Sequence, residues 1–469
     1  MPETLPLSEL PDQVGVLVLG GGLAGAAALL TAAERGQFAV LLEGADDVGG
    51  STVKSAGLSA FAGTDEQAAQ GIEDSVELLR EDLLVTGRHL NQPDLVDLYC
   101  REQLPTYRWL RERGIVFGEV HAAAGQSTPR SHPTDSTRLI HVLMRKAGEL
   151  GARVVLKARA VDLHFDGERV VGAEVQLPDG IRSTVRADAV VIATGGFSRN
   201  PALLRRWAPH MTHALAGGAE TCQGDGLVLA MRLGAGLVDT EHVKGTYGIY
   251  PEPHPDEDGT GILAVYKGAI AVNRAGRRFV DESLPYKVLG DASLAEPGGT
   301  TYQVFDSQVL RKSTAEVPIY DFAGRRNAGL LASASSLEAL AAEIGVPEDA
   351  LVDEVAAYNT AVAAGQPDRL GRTHLSGKVG DRVRLVEPPF YAHLSGTSVL
   401  ATYCGLTVNS DMAVLREDGT PIPRLYAAGE VVGGLHGGGY MTGSAIGKAA
   451  IFGRIAGRAA ATEPSELSW

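Results

Sequence analysis

Cysteine is scarce in this chain. Cys100, Cys222 and Cys404 are the three among 469 residues, far apart and odd in number, so neither a disulfide framework nor a zinc site is indicated. No cysteine cluster is present for an iron–sulfur centre or haem, so any electrons the protein handles pass to another molecule. The histidines do not fill the gap, because His89, His121, His132, His141, His242 and His254 show no metal-ligand spacing. Positive charge is short as well: a formal net charge of −15 argues against a nucleic-acid or anionic-membrane partner. The first residues lack a basic segment, an apolar leader core and a twin arginine, which predicts a cytoplasmic location. There are no internal repeats. Residues 14–33 are nearly all apolar or glycine, but three consecutive glycines and the Glu34-Arg35 that follows argue against a membrane span.

What is abundant is glycine, 58 residues, beside a 44% hydrophobic content that can build a large core. The length suggests two or three domains. The organising stretch is an apolar run, 14–19, followed by Gly20, Gly22 and Gly25 and an Ala/Leu-rich helix over 26–35. That order reads as strand, tight turn and helix, with glycines for the turn, for close approach to a pyrophosphate and for helix–strand packing. The helix N-terminus, with Leu23 and Ala24, offers free N–H groups to phosphates. A second apolar strand, 38–42, ends at Glu43, 18 residues past Gly25, where an acid would hold a ribose hydroxyl.

Next comes a small-residue loop, Gly49, Gly50, Ser51, Thr52 through Gly57, suited to a second wrap around a dinucleotide. Helical spacing covers 66–84, 93–114 and 136–150, with a loop over 118–137. Short strands are predicted at 153–156, 160–165, 170–177 and 183–187, broken by Asp166-Gly167 and Asp179-Gly180, and a buried strand at 189–193 runs into Thr194-Gly195-Gly196. From about 236 to 385 the pattern loosens, with a Pro/His-rich loop at 251–258 and helices at 335–345 and 348–364. This marks an inserted domain. Strand–loop character returns near Tyr391, a last helix begins at about Ser444, and the final nine residues read as a solvated tail.

The fingerprint, the Gly49-Gly50-Ser51 loop, Ala193-Thr-Gly-Gly196, Gly224-Asp225-Gly226, the 273–282 stretch Asn-Arg-Ala-Gly-Arg-Arg-Phe-Val-Asp-Glu and Tyr426-Ala-Ala-Gly429-Glu430 together resemble the fumarate reductase/succinate dehydrogenase flavoprotein family. That family includes soluble fumarate reductases and 3-ketosteroid dehydrogenases. The resemblance covers roughly 14–460 and implies an α/β fold: a Rossmann-type FAD-binding domain in two segments, 1–235 and 386–469, with an α+β capping domain at 236–385. It implies that Glu43 holds the adenosine ribose, that Gly20, Gly22 and Gly25 hold the pyrophosphate, that Val161 presents backbone to the adenine and that Glu430 holds the ribityl chain. Ser444, Ala445 and Ile446 would open a helix facing the flavin pyrimidine edge, where its dipole favours negative charge. Relatives that attach FAD covalently use a histidine where this chain has Ser51, so FAD is expected to be non-covalent.

The substrate contacts depart from the fumarate pattern. The proton-donating arginine of soluble fumarate reductases corresponds to Tyr286, the substrate-clamping arginine to Tyr440 and a histidine to Ala401. A dicarboxylate buried without cationic partners would lose about 2–5 kcal/mol, so fumarate is disfavoured. Tyrosines at these places are similar to those of 3-ketosteroid dehydrogenases. Carried over, Tyr286 would abstract a proton α to a ketone, Tyr440 would polarise the carbonyl, and Gly443 would add its N–H to the oxyanion site. A hydride would then leave for flavin N5. A phenol ionises near ~10, so Tyr286 needs help, for which Tyr403 and Tyr247 are candidates. Met441-Thr442 in place of Pro-Gly after Tyr440, and Asp281 in place of Asn, make a smaller cyclic ketone as acceptable as a steroid. Arg277 and Arg278 would brace the cap, and His436 lies in the glycine-rich loop near the flavin. Two other readings remain: a carboxylic-acid dehydrogenase or enoate reductase with arginines supplied by the cap, and an electron-transfer flavoprotein subunit. Each requires an external electron acceptor or donor.

Overall fold

The computed structural model describes residues 4–9, 13–253 and 261–462. Its first sheet is built on the strand Gln13–Leu19, which runs parallel to Ala39–Leu42 on one side and Arg182–Ile192 on the other. Arg153–Val155 extends the parallel set beyond Ala39–Leu42, and Pro421–Ala427 extends it beyond Arg182–Ile192. Parallel strands covered on both faces are apolar throughout, and Val16, Leu17, Val18, Val40, Leu41, Val190 and Val191 are fully buried. Each such side chain contributes about 1.5–3 kcal/mol by leaving water. The helices Leu23–Glu34 and Ser444–Ala460 pack against one another, joining the two ends of the chain. The C-terminal strand Pro421–Ala427 therefore completes a sheet that the N-terminal segment began.

The second sheet is threaded by one long strand, Phe390–Val399. It pairs antiparallel with Thr301–Asp306 and Leu331–Ala334 over its first half and with Thr246–Ile249 over its second. Ile270–Val272 lies on the far side of Thr301–Asp306. The helix Tyr286–Ala295 packs on this sheet, and Leu337–Ile344 and Glu348–Ala363 lie against each other nearby. Arg278 braces the unit: its guanidinium pairs with Glu282 and Asp368, and Arg372 reaches the same Glu282 at 3.2 Å, all four side chains being buried. Arg277, by contrast, is exposed.

Several local expectations change. The strands predicted at 183–187 and 189–193 are one continuous strand, because Asp188 is buried, accepting from Gln13 Nε2 at 2.5 Å, and no turn forms there. The 66–84 helix is two, Asp65–Ala69 and Val76–Thr86, each with its own capping hydroxyl, Thr64 and Ser75. Within the predicted loop 118–137, Ser131–Pro133 pairs with Leu58–Ala60. Phe390–Val399, expected in the second FAD-binding segment by the boundary at 385, pairs with the strands of the second sheet; its burial, interrupted at Leu394 alone, reads alike in either layer. No helix among the described residues is long and apolar enough to cross a membrane. Most of the predicted 251–258 loop, His254 included, and most of the predicted tail lie outside the described residues.

Candidate functional site

A cavity of about 1150 Å³ opens along the C-terminal edge of the first sheet and continues beneath the second. At one end its wall is Gly20, Gly22, Leu23 and Ala24, with Glu43 beside them. Gly25 lies one turn in, where a Cβ would sit 1.9 Å from Gly20 O, so only glycine lets the helix start this close to the loop. Glu43 is 5% exposed and accepts from Gly21 N at 2.6 Å and Ala45 N at 2.8 Å. Thr52 Oγ1 accepts from Leu23 N at 3.2 Å, tying the second loop to the first helix.

Further along the wall stand Gly50, Ser51, Gly57, Thr194, Gly195, Asp225, Gly429 and Glu430, then Ala445 and Ile446 at the start of the last helix. Asp225 forms a fork with Arg159, 2.6 and 2.7 Å. Glu430 Oε1 accepts from Thr402 N at 2.8 Å, and loss of water raises its carboxyl above the usual range. Four predicted cofactor residues stand back from the wall besides Gly25. Gly49 precedes the short Gly50–Val53 helix, Gly196 packs against Glu430 and Thr402, and Ser444 is spent on Met441 O at 2.6 Å. Val161 is the fourth: its carbonyl accepts from Arg232, and the lining backbone is one residue earlier, Ala158–Ala160.

At the other end three tyrosines meet. Tyr286, which opens the helix of the second sheet, lies 6.0 Å from Tyr440, centroid to centroid, in an edge-on arrangement. Tyr403 stacks on Tyr440 at 4.6 Å and 21°, and His436 sits edge-on to Tyr403 at 5.0 Å. Tyr440 Oη accepts from Gly443 N at 3.2 Å, so the N–H predicted to face a substrate oxygen is engaged with the phenol instead. Burial raises the phenols of Tyr286 and Tyr403 well above their ordinary value. Tyr440 is raised less, because the amides of Gly443 and Ala445 oppose the desolvation. His436 is held neutral by desolvation, and its buried Nε2 has no partner among the described residues. Tyr247 does not join the group; its hydroxyl meets Thr301 Oγ1 at 3.0 Å within the second sheet.

Two buried lysines escaped sequence reasoning. Lys448 lines the cavity, donates to Val432 O and is lowered to about 8 by burial. Lys287 stands behind the tyrosines, its Nζ 4.7 Å from the Tyr403 ring centre, 5.4 Å from Tyr286 and 5.8 Å from Tyr440. Spacing held a signal: in the helix Tyr286–Ala295, Lys287 falls three residues before buried Gly290 and six before buried Ser293, on the inward face.

The groove fits a dinucleotide: glycine-rich backbone and the starts of two helices along one wall, an acid at the end of the second strand, and a buried imidazole near the tyrosines whose Nε2 has no partner among the described residues. The FAD binding domain family matches residues 15–446, and the chain belongs to that family as an FAD-dependent oxidoreductase of the kind acting on CH–CH groups. It is 33% identical over 461 residues to the NADH:fumarate oxidoreductase of Klebsiella pneumoniae, covering 96% of this chain and 48% of that protein, so it spans about half of that relative's length. Its fold superposes on the open conformation of a flavocytochrome c3 fumarate reductase with a TM-score of 0.80 at 30% identity, covering 97% of this chain and 79% of that one. It also shares its fold with the 3-ketosteroid-Δ4-(5α)-dehydrogenase of Rhodococcus jostii RHA1, TM-score 0.77 at 24% identity, covering 98% and 99%.

Proposed function

We propose that the protein interconverts a ketone and its α,β-unsaturated counterpart on a neutral cyclic substrate, in the desaturating direction when an electron acceptor is present. The observation that carries this reading is the convergence of Tyr286, Tyr403 and Tyr440 on one cavity; the resemblance to fumarate reductases puts Tyr286 and Tyr440 where those enzymes carry arginines. Bound FAD, held by Glu43, Gly20, Gly22, Glu430 and the last helix, supplies a two-electron hydride acceptor at its N5. The chain's own groups do the rest. Tyr440 receives hydrogen bonds from backbone amides, which polarise its O–H and leave the proton free to meet a carbonyl oxygen. Tyr286, from the opposite layer, takes the proton α to that carbonyl as its phenolate, which becomes the neutral phenol, and Tyr403 bridges the pair electrostatically. Leu58, Leu263, Ile319 and Pro318 line the same cavity and suit an apolar ring.

Tyr286→Phe should retain FAD yet reduce turnover at least about 100-fold, the usual contribution of a positioned acid or base. Unchanged turnover would remove Tyr286 from the mechanism. A second reading, an unsaturated acid as substrate, is favoured by Arg325, which lines the cavity with a buried Nε that has no partner among the described residues. Anaerobic mixing with saturated ketones or with succinate decides between them: flavin bleaching by a ketone supports the first, and bleaching by the carboxylate supports the second.

A further inference from the structure

Lys287 is 1% exposed and does not line the cavity. Its ammonium donates to Thr246 Oγ1 at 2.6 Å and reaches Lys244 O at 3.5 Å. No carboxylate lies within ion-pair distance of it among the described residues. Asp291, one turn along the same helix, is taken by Lys244, and Glu430 acts on Lys287 only at longer range. What surrounds the charge instead is aromatic: the rings of Tyr286, Tyr403 and Tyr440 all lie within 6 Å of Nζ. Burying an unpaired ammonium is unfavourable, and a methionine would fill the same space without that penalty. A cation kept under such conditions needs a negative charge to answer.

We propose that Lys287 is a positioning residue for the tyrosine cluster: its ammonium, held by Thr246 behind the three rings, attracts the negative charge of a phenol that has released its own proton and is ready to take one from substrate. This rests on the tyrosine reading of the site and supplies the positive potential that a phenol base requires. The charge is labile. Desolvation lowers the ammonium to about 7, with Glu430 and Asp291 opposing, while Lys448, neutral His436 and the buried phenols of Tyr266 and Tyr99 are the other titratable groups facing the cluster. Near neutrality the ammonium can therefore be lost to solvent, weakening its hold on the phenols.

The test places difluorotyrosine, whose phenol ionises near neutrality, at position 286 of the FAD-loaded protein and follows its titration by fluorine NMR. A unit charge about 5 Å away at an effective dielectric near 20 shifts such a phenol by roughly two pH units. Lys287→Met should move the midpoint up by that amount, Lys287→Arg should restore most of it, and Thr246→Val should give a smaller upward shift. Coincident midpoints in wild type and Lys287→Met, both retaining FAD, would overturn the proposal. If Lys287→Met does not fold, an unchanged midpoint in Thr246→Val overturns it equally. The titration uses no substrate, so failure of the ketone reading, seen in flavin bleaching, is recognised separately.

Discussion

Glu43 has two descriptions that experiment can separate, a ribose acceptor and a brace for its own loop. Its carboxylate already accepts from Gly21 N at 2.6 Å and Ala45 N at 2.8 Å, one bond per oxygen. Gln at this position can accept from one amide, and its NH2 then faces the other. Losing one charge-assisted bond costs about 1.5–3 kcal/mol, and stranding the second N–H adds about 1–3 kcal/mol. The apoprotein of Glu43→Gln should therefore lose about 2.5–6 kcal/mol of stability, read from urea unfolding. If the same carboxylate also holds a ribose hydroxyl, FAD affinity should fall by about 10- to 150-fold, the equivalent of one further charged bond. Quenching of flavin fluorescence during titration of folded apoprotein measures this directly. A dissociation constant within about threefold of wild type would refute the ribose assignment and leave Glu43 as a loop brace.

Gly443 has φ +87, and an added Cβ would lie 2.8 Å from Ala60 N, so Gly443→Ala should cost about 2–4 kcal/mol and displace the amide that meets Tyr440. Thermal unfolding checks the first effect, and a fall in turnover of at least about tenfold in FAD-loaded protein checks the second. The buried lysines give stability a pH dependence of definite sign. Between about 7 for Lys287, or about 8 for Lys448, and the unfolded value near ~10.4, the unfolded chain binds more protons, so stability rises with pH across that window and is flat below it. The slope approaches about 1.4 kcal/mol per pH unit for each lysine, and Lys287→Met should remove its share, measured as urea midpoints between pH 7 and 9.

The nucleotide-binding half was legible because its signals are local. Gly20, Gly22, Gly25 and Glu43 sit within a single strand–helix–strand unit whose spacing is set by backbone geometry. Asp188 shows the limit: a polar residue between apolar runs suggests a break, and only the distant Gln13, donating to its Oδ1, shows how it is accommodated inside the sheet. Val161 meets the same limit: the cavity wall runs through Ala158, Arg159 and Ala160, and no local feature fixes which residue at a strand's start faces a groove. Tyr286 and Tyr440 could be singled out through a resemblance, but their meeting across 154 positions of sequence is a property of the two sheets. Lys287 was hidden by its type. A lysine is ordinarily taken as solvent-facing, and its burial is decided by three rings from separate segments.

The long strand Phe390–Val399 threads the second sheet, and the chain leaves it by way of Leu400 and Ala401 to reach Tyr403, a non-glycine residue at φ +57. Tyr286 heads a helix packed on that same sheet, whereas Tyr440 belongs to the loop before the helix Ser444–Ala460 of the first. The aromatic cluster is thus a seam, with its stitches drawn from both layers. Thr402 beside Tyr403 is tied to Glu430, so a rotation of one sheet on the other would carry Tyr286 relative to Tyr403 and Tyr440, and shutting the cavity and assembling its proton-handling groups would amount to a single movement.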